Sequence, residues 1–313
     1  MARPLRITYP GAFYHVTSRG NERKAVFKGT GDREKFLEYL ATASQCYDAV
    51  VHAYCLMANP YHLLLQTPAA NLAQIMRHIN GAYTTYFNLK CTRCGHLFQG
   101  RYKAILVDID EYAKELSRYL HLNPVRAKLV PVPEDYPWSS YRDYIGQRKA
   151  PEWLFREFIL GYFGGNLAKA QKRYHDFVSA LAVDHAYVNP LDAVSGSTLL
   201  GSAAFISFVK ESYLVGRAPD KNLPALKQLA DRLSIPDICA EVEHAFTGQP
   251  QLARGIELYL CQKYTRMKLK EIGVYFGIGE SGVCKAGRRI EKRMERDRRL
   301  NKDIEALEKT IIK

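Results

Sequence analysis

Alternation of apolar and polar residues marks the first strand of the chain, and a helical repeat of apolar residues follows it. Residues 7–20 alternate around His15, as a half-buried strand does. Residues 32–47 place their apolar side chains three and four positions apart, which is typical of an amphipathic helix, and Asp32 is a suitable N-cap. The chain is therefore predicted to open with a strand and a helix.

The same two patterns recur through the next seventy residues. Residues 50–66 are apolar and rich in strand formers, and residues 71–89 show helical spacing. Residues 102–108 predict a further strand, and residues 110–122 a helix that stops before Pro124. The order strand, helix, strand, helix, strand, helix favours an α+β or α/β arrangement in which helices cover a small sheet.

The pattern changes after residue 130. Residues 131–151 are rich in proline around Trp138, which indicates an ordered closing segment, and the chain is helical beyond it. Residues 182–200 are rich in small and turn-forming residues and predict a loop. We therefore expect three parts: an α+β domain, a helical connecting region and a C-terminal domain, at residues 1–150, 151–250 and 251–313.

The last sixty residues form a distinct basic unit. Residues 254–313 contain 16 Lys and Arg against 9 Asp and Glu. A short helix at Leu269–Phe276, a turn at Gly277–Gly279 and a basic helix at Glu280–Met294 make the pattern of a helix-turn-helix. It is similar to the DNA-binding domains of bacterial replication initiators and of the Trp repressor. A major-groove contact would fall to Lys285, Arg288 and Arg289; the alternative is a helical hairpin with a solvated charged face.

Composition points to a polyanionic partner in a reducing compartment. The 313 residues carry a net charge of +13, which favours nucleic acid. No apolar run approaches the ~20 residues that span a bilayer, and the N-terminus lacks the apolar core of a signal peptide, so we expect a cytoplasmic protein without a membrane partner. The seven cysteines are scattered and odd in number, which fits reduced thiols.

One strand histidine, one helical tyrosine and one helical asparagine are candidate site residues. His62 lies in the apolar run Ala53–Leu65, where a histidine suits a divalent metal. Tyr119 and Asn123 are four residues apart and would share one face of their helix. Taken singly, His62 is an ordinary sheet histidine and Tyr119 an ordinary core tyrosine.

Together with the segment His96–Lys103, these motifs resemble the REP-associated tyrosine transposases, a branch of the HUH single-tyrosine transposases. The resemblance implies a ferredoxin-like HUH fold in the α+β domain, followed by the all-α region that ends in the helix-turn-helix. It implies that Tyr119 attacks single-stranded hairpin DNA through a 5′-phosphotyrosine intermediate. It also implies Mg²⁺ or Mn²⁺, held by His62 and assisted by Asn123.

Pro60 departs from the family pattern, because it replaces the first histidine of the family's His-x-His motif. Proline has no ligand atom in its side chain. His15, on the neighbouring strand, is a candidate compensating ligand. Two alternatives therefore stay open beside a weakened transposase: a nuclease-inactive DNA-binding protein, and a transcriptional regulator that binds duplex DNA through its C-terminal domain.

Basic and aromatic residues of the first domain are candidates for contact with unpaired DNA. Basic side chains contact phosphates, and aromatic rings stack on bases. The candidates are Arg19, Arg23, Lys24, Arg101, Tyr102 and Lys103.

Overall fold

A computed structural model describes residues 5–181, 189–214, 234–265 and 267–311. The chain divides into two compact units, Pro4–Val209 and Lys210–Lys313. Of the expected connecting region, the described residues 151–181 and 189–209 belong to the first unit. Each unit is described by itself below.

The first unit is built on a sheet with helices on both faces. Its elements are β1 (Ala12–Ser18), α1 (Thr30–Tyr47), β2 (Val50–Leu56), β3 (Tyr61–Thr67), α2 (Leu72–Lys90), β4 (Lys103–Val107), α3 (Ile109–Arg126), α4 (Tyr141–Tyr144), α5 (Glu157–Gly161), α6 (Leu167–Ser179), β5 (Leu199–Leu200) and the start of α7 (Ala203–Tyr213). Short 3-10 turns lie at Asn21–Arg23, Pro133–Asp135 and Pro190–Ala193.

The sheet has the strand order β2-β3-β1-β4-β5. β1 pairs antiparallel with both β3 and β4, and β2 pairs antiparallel with β3. Two split βαβ units that interleave in this order define the ferredoxin-like fold. The predicted α+β class and ferredoxin-like topology are thus confirmed, with β5 added parallel to β4.

Three details differ from the sequence-based expectations. Residues 50–66 form two strands rather than one, because the chain turns back at Ala58–Pro60 between β2 and β3. The α3 helix runs on to Arg126 with Pro124 inside its last turn, where the proline lacks the N–H that would otherwise bond the Leu120 carbonyl. Within the predicted loop 182–200, residues 182–188 lie outside the described residues, and the remainder contains β5.

The two faces of the sheet bury different helices. One face lies under α1 and α2, where Phe36, Tyr61 and Tyr83 pack ring against ring. The other lies under α3, whose Leu116 and Leu120 join Phe13 in a continuous core. Strand alternation therefore decides which side chains face α3.

The second unit is helical throughout its described residues. It contains α8 (Ile235–Ala245), α9 (Pro250–Tyr264), α10 (Leu269–Phe276), α11 (Glu280–Arg296) and α12 (Arg298–Ile311), packed around one apolar core. Gly277 ends α10 in the left-handed conformation, with φ at 68°, which glycine adopts without steric cost. None of the helices in the described ranges is long and apolar enough to cross a membrane.

Candidate active site

Two histidines from adjacent strands meet on the face of the sheet that α3 covers. Thr17 of β1 lies opposite His62 of β3, so His15, two residues before Thr17, points to the same face as His62. The His15 Nε2 and His62 Nδ1 atoms are 3.1 Å apart and share a hydrogen bond. The sheet register thus joins two residues that are 47 positions apart in the sequence.

Both imidazoles are buried and neutral. Burial holds the pKa of His15 well below its ordinary value, and His62 acts in the same direction. Burial also lowers the pKa of His62 to about 4, with a further contribution from Arg126. A neutral imidazole keeps a lone pair, which is the form that binds a metal ion or accepts a proton.

Tyr119 lies directly over this histidine pair. Its ring meets the rings of His15 and His62 edge to face, with centroids 5.9 and 6.0 Å away. The side chain is 8% exposed, and burial raises the pKa of its hydroxyl. Arg126 opposes that rise through its charge and a hydrogen bond to the Tyr119 side chain.

Asn123 is buried one turn beyond Tyr119, as the four-residue spacing predicts. Among the described residues its Nδ2 atom has no hydrogen-bond partner, and neither has the Nδ1 atom of His15. Unpartnered buried polar atoms are uncommon in folded proteins, so these two atoms are candidates for contact with an ion, a water molecule or a substrate.

The candidate ligand atoms around Tyr119 fit a divalent cation only in part. Two neutral imidazoles and an amide oxygen suit Mn²⁺ better than Mg²⁺, which prefers oxygen ligands. In the described residues no group of three or more His, Cys, Asp or Glu side chains is placed to hold a metal. Because His15 and His62 hydrogen bond to each other, that bond must break before both nitrogens can ligate one cation.

His121, two residues after Tyr119, anchors α3 from its other side. Its Nδ1 lies 2.6 Å from the Tyr174 hydroxyl, and its Nε2 lies 2.8 Å from the Ser140 hydroxyl. The Ser140 oxygen also accepts the backbone N–H of Tyr54 in β2. This buried network ties α3 to α6 and to the sheet, so it limits how far Tyr119 can move.

The basic candidates of the first unit lie on two segments, residues 19–24 and 96–103, that pair with each other. The backbone of Gly20 bridges to Phe98, and the Gln99 N–H donates to the Arg19 carbonyl at 2.7 Å. The Asn59 side chain holds the first segment to the turn before β3, because it bonds both Gly20 and Lys24. The exposed cations on the two segments are Arg19, Arg23, Lys24, Arg101 and Lys103.

Two of the nucleic-acid candidates have partners already. Lys24 forms an exposed ion pair with Glu22 at 2.5 Å. Tyr102 is buried, and the Arg6 guanidinium lies 4.0 Å from its ring centroid. Base stacking on Tyr102 would therefore require Arg6 to move.

The basic helix of the second unit presents its charges outward. In α11, Val283 and Ile290 are buried while Lys285, Arg288 and Arg289 are exposed. The three-residue turn before α11 packs closely, because a Cβ on Gly273 would overlap the carbonyl oxygen of Ile278. The bounds of α10 and of the turn agree with those expected from the sequence, and α11 begins at the expected Glu280 but ends at Arg296, two residues beyond the expected Met294.

Sequence reasoning missed two charged residues near Tyr119. Arg126 contacts the Tyr119 ring, with its guanidinium carbon 5.1 Å from the ring centroid. Asp192 acts on the Tyr119 hydroxyl with the opposite sign. The seven-residue spacing from Tyr119 to Arg126 was a usable signal, since it returns to the same helix face, whereas no local pattern indicates Asp192.

A family model and a solved structure are similar to part of this chain. Residues 8–123 match the family model described as IS200-like transposase, and this range contains His15, His62, Tyr119 and Asn123. A solved structure of a REP-associated tyrosine transposase bound to a REP hairpin is similar at 16% identity and a TM-score of 0.41, over 48% of this chain and 89% of that chain. The comparison with curated proteins gave no match. The N-terminal part of this chain, over residues 8–123, is thus similar to the IS200-like tyrosine transposases.

Proposed function

We propose that this protein is a transposase-like enzyme that cleaves and rejoins single-stranded DNA next to a hairpin. The observation that supports this most is the placement of Tyr119 against the His15–His62 pair, on a helix that is itself held by His121. Two neutral histidines and a guanidinium lie against the ring of this tyrosine, which is an unusual setting for an ordinary core tyrosine. Since its substrate would be chromosomal DNA, we expect it to act in the cytoplasm.

In this proposal Tyr119 is the nucleophile. Its hydroxyl oxygen attacks a backbone phosphorus, a bond from Oη to phosphorus forms, and the bond from phosphorus to the 3′ oxygen breaks. The hydroxyl proton is lost and the departing 3′ oxygen takes up a proton, so the products are a 5′-phosphotyrosine and a free 3′ hydroxyl. Rejoining is the reverse step with another 3′ hydroxyl.

The neighbouring side chains have separate tasks. The neutral imidazoles of His15 and His62, which lie against Tyr119, would accept a proton or ligate a metal, and the Asn123 amide oxygen would be a further metal ligand. A bound Mn²⁺ or Mg²⁺ would polarise the phosphate. Arg19, Arg23, Lys24, Arg101 and Lys103 would hold the phosphates of the unpaired strand.

We also propose that the second unit contacts duplex DNA through α11. The exposed Lys285, Arg288 and Arg289 and the closely packed turn before them support a helix-turn-helix role. A duplex contact by this unit would add to whatever the first unit binds.

A nuclease-inactive DNA-binding protein is the second candidate. It is favoured by Pro60, which removes one imidazole, and by the hydrogen bond that occupies His15 and His62 with each other. Such a protein would keep the basic surfaces and lose only the chemistry.

A covalent trapping assay tests the proposal. Full-length protein is mixed with labelled DNA hairpins that carry single-stranded flanks, with Mn²⁺, and run on a denaturing gel. We expect a covalent protein–DNA adduct that is absent in Tyr119→Phe, which removes only the nucleophilic oxygen. Tyr112→Phe, the same change on the same helix, should leave the adduct intact.

The outcomes separate the two candidates. Adduct that persists in Tyr119→Phe would rule out Tyr119 as the nucleophile. Absence of adduct in the unaltered protein, together with tight hairpin binding, would instead establish the nuclease-inactive alternative.

A further inference from the structure

Arg126 is a charged side chain that lies against Tyr119 and that the proposed function leaves without a task. It is the last residue of α3, seven positions after Tyr119, and two helical turns bring those positions to the same face. Its guanidinium carbon lies 5.1 Å from the Tyr119 ring centroid, and the guanidinium acts against the raised pKa of the Tyr119 hydroxyl. Its charge also reaches His62.

We propose that Arg126 is a catalytic residue that binds the phosphate attacked by Tyr119. This inference rests on the proposed function. A guanidinium has five N–H donors in one plane, so it can donate to the tyrosine oxygen and to a phosphate oxygen together. That geometry would place the phosphorus beside the attacking oxygen.

The position of Arg126 also compensates for Pro60. A metal ion at a two-histidine site supplies positive charge to the phosphate, and the loss of one histidine weakens that supply. The guanidinium of Arg126 is always charged and lies beside the same tyrosine, and unlike a metal ion it does not depend on other side chains as ligands. In-line transfer to Tyr119 adds negative charge to the non-bridging oxygens, where Arg126 would donate.

The first measurement is the rate of covalent adduct formation in Arg126→Gln. Loss of one charged donor to the developing charge lowers such rates roughly a hundred- to a thousandfold. Arg126→Lys keeps the charge but loses the planar guanidinium, so its rate should lie between those of the unaltered protein and of Arg126→Gln. Lys114→Gln removes an equal charge from an exposed position on the same helix and should react like the unaltered protein.

The second measurement does not depend on cleavage. In the Tyr119→Phe background, affinity for a pool of hairpins with randomised single-stranded flanks is measured against salt concentration. One phosphate contact fewer should reduce the slope of log affinity against log salt by about 0.7 for a single strand. Arg126→Gln should show that reduction and Lys114→Gln should not, whereas a purely structural role for Arg126 would leave the slope unchanged.

The two measurements separate failure of this inference from failure of the proposed function. If the unaltered protein forms adduct and Arg126→Gln matches Lys114→Gln in rate, the Arg126 assignment is overturned and the transposase proposal stands. If the unaltered protein forms no adduct, the cleavage proposal fails, and the salt slope alone decides whether Arg126 holds a phosphate. An unchanged slope in Arg126→Gln overturns the assignment in either case.

Discussion

Buried histidines should make the first unit sensitive to mild acid. His15, His52, His62 and His121 are all buried in it, and burial lowers the pKa of each. The pKa falls to about 4 for His52 and His62 and to about 3 for His121. In the unfolded chain the pKa of each returns to its ordinary value of 6.5.

Protonation of these groups therefore favours unfolding. Between pH 6.5 and about 4 the unfolded chain binds protons that the folded unit excludes, so stability is present at neutral pH and is lost as the pH falls. Between pH 7 and pH 5 one such histidine lowers the free energy of unfolding by about 2 kcal/mol, because each pKa unit corresponds to 1.36 kcal/mol. His52, His62 and His121 together lower the free energy of unfolding by about 6 kcal/mol, and His15 lowers it further. A typical domain has a total stability of roughly 5–15 kcal/mol.

Tryptophan fluorescence can follow this unit in the whole protein. The only two tryptophans, Trp138 and Trp153, both lie in it. Urea unfolding at pH 7 and at pH 5 should give free energies of unfolding that differ by about 6 kcal/mol or more. His62→Asn should shrink the difference by about 2 kcal/mol, because one group no longer titrates.

His96→Asn is the matched control, since His96 is exposed in the same unit. It should leave the difference between the two pH values unchanged. A difference below about 2 kcal/mol in the unaltered protein would refute the reasoning. Equal behaviour of His62→Asn and His96→Asn would show that the site histidines are not held neutral by burial.

Three further predictions concern DNA binding and the second unit. The net charge of +13 predicts that affinity of the full chain for DNA falls steeply as salt is added, and a flat response in a filter-binding titration would contradict every DNA-binding hypothesis. Replacing Lys285, Arg288 and Arg289 by alanine should weaken duplex binding by the full chain, whereas Lys302→Ala on α12 should not, as gel-shift titrations can show. Gly273→Ala should destabilise the second unit by about 1–3 kcal/mol, because its Cβ would overlap the Ile278 carbonyl oxygen. Gly282→Ala meets only ordinary contacts and should be neutral or stabilising by up to about 1 kcal/mol in thermal melts followed by circular dichroism.

Local patterns were sufficient for most elements of this protein. Helix and strand periodicities depend on neighbours within a few residues, so α10 and the start of α11 were predicted at their observed bounds. The spacing of Tyr119 and Asn123 was likewise enough to place both on one helix face. The alternation around His15 predicted a strand, but no local pattern stated what the His15 side chain would meet.

Tertiary structure alone decided how the site is assembled. The pairing of β1 with β3 brings His15 to His62, because strand register depends on the whole sheet and not on the strand itself. The turn at Ala58–Pro60 splits one apolar run into two strands, and the Arg6 guanidinium lies over the ring of Tyr102. Arg126 acquires its role only when α3 lies on the sheet, since only then does its face of the helix also border His62.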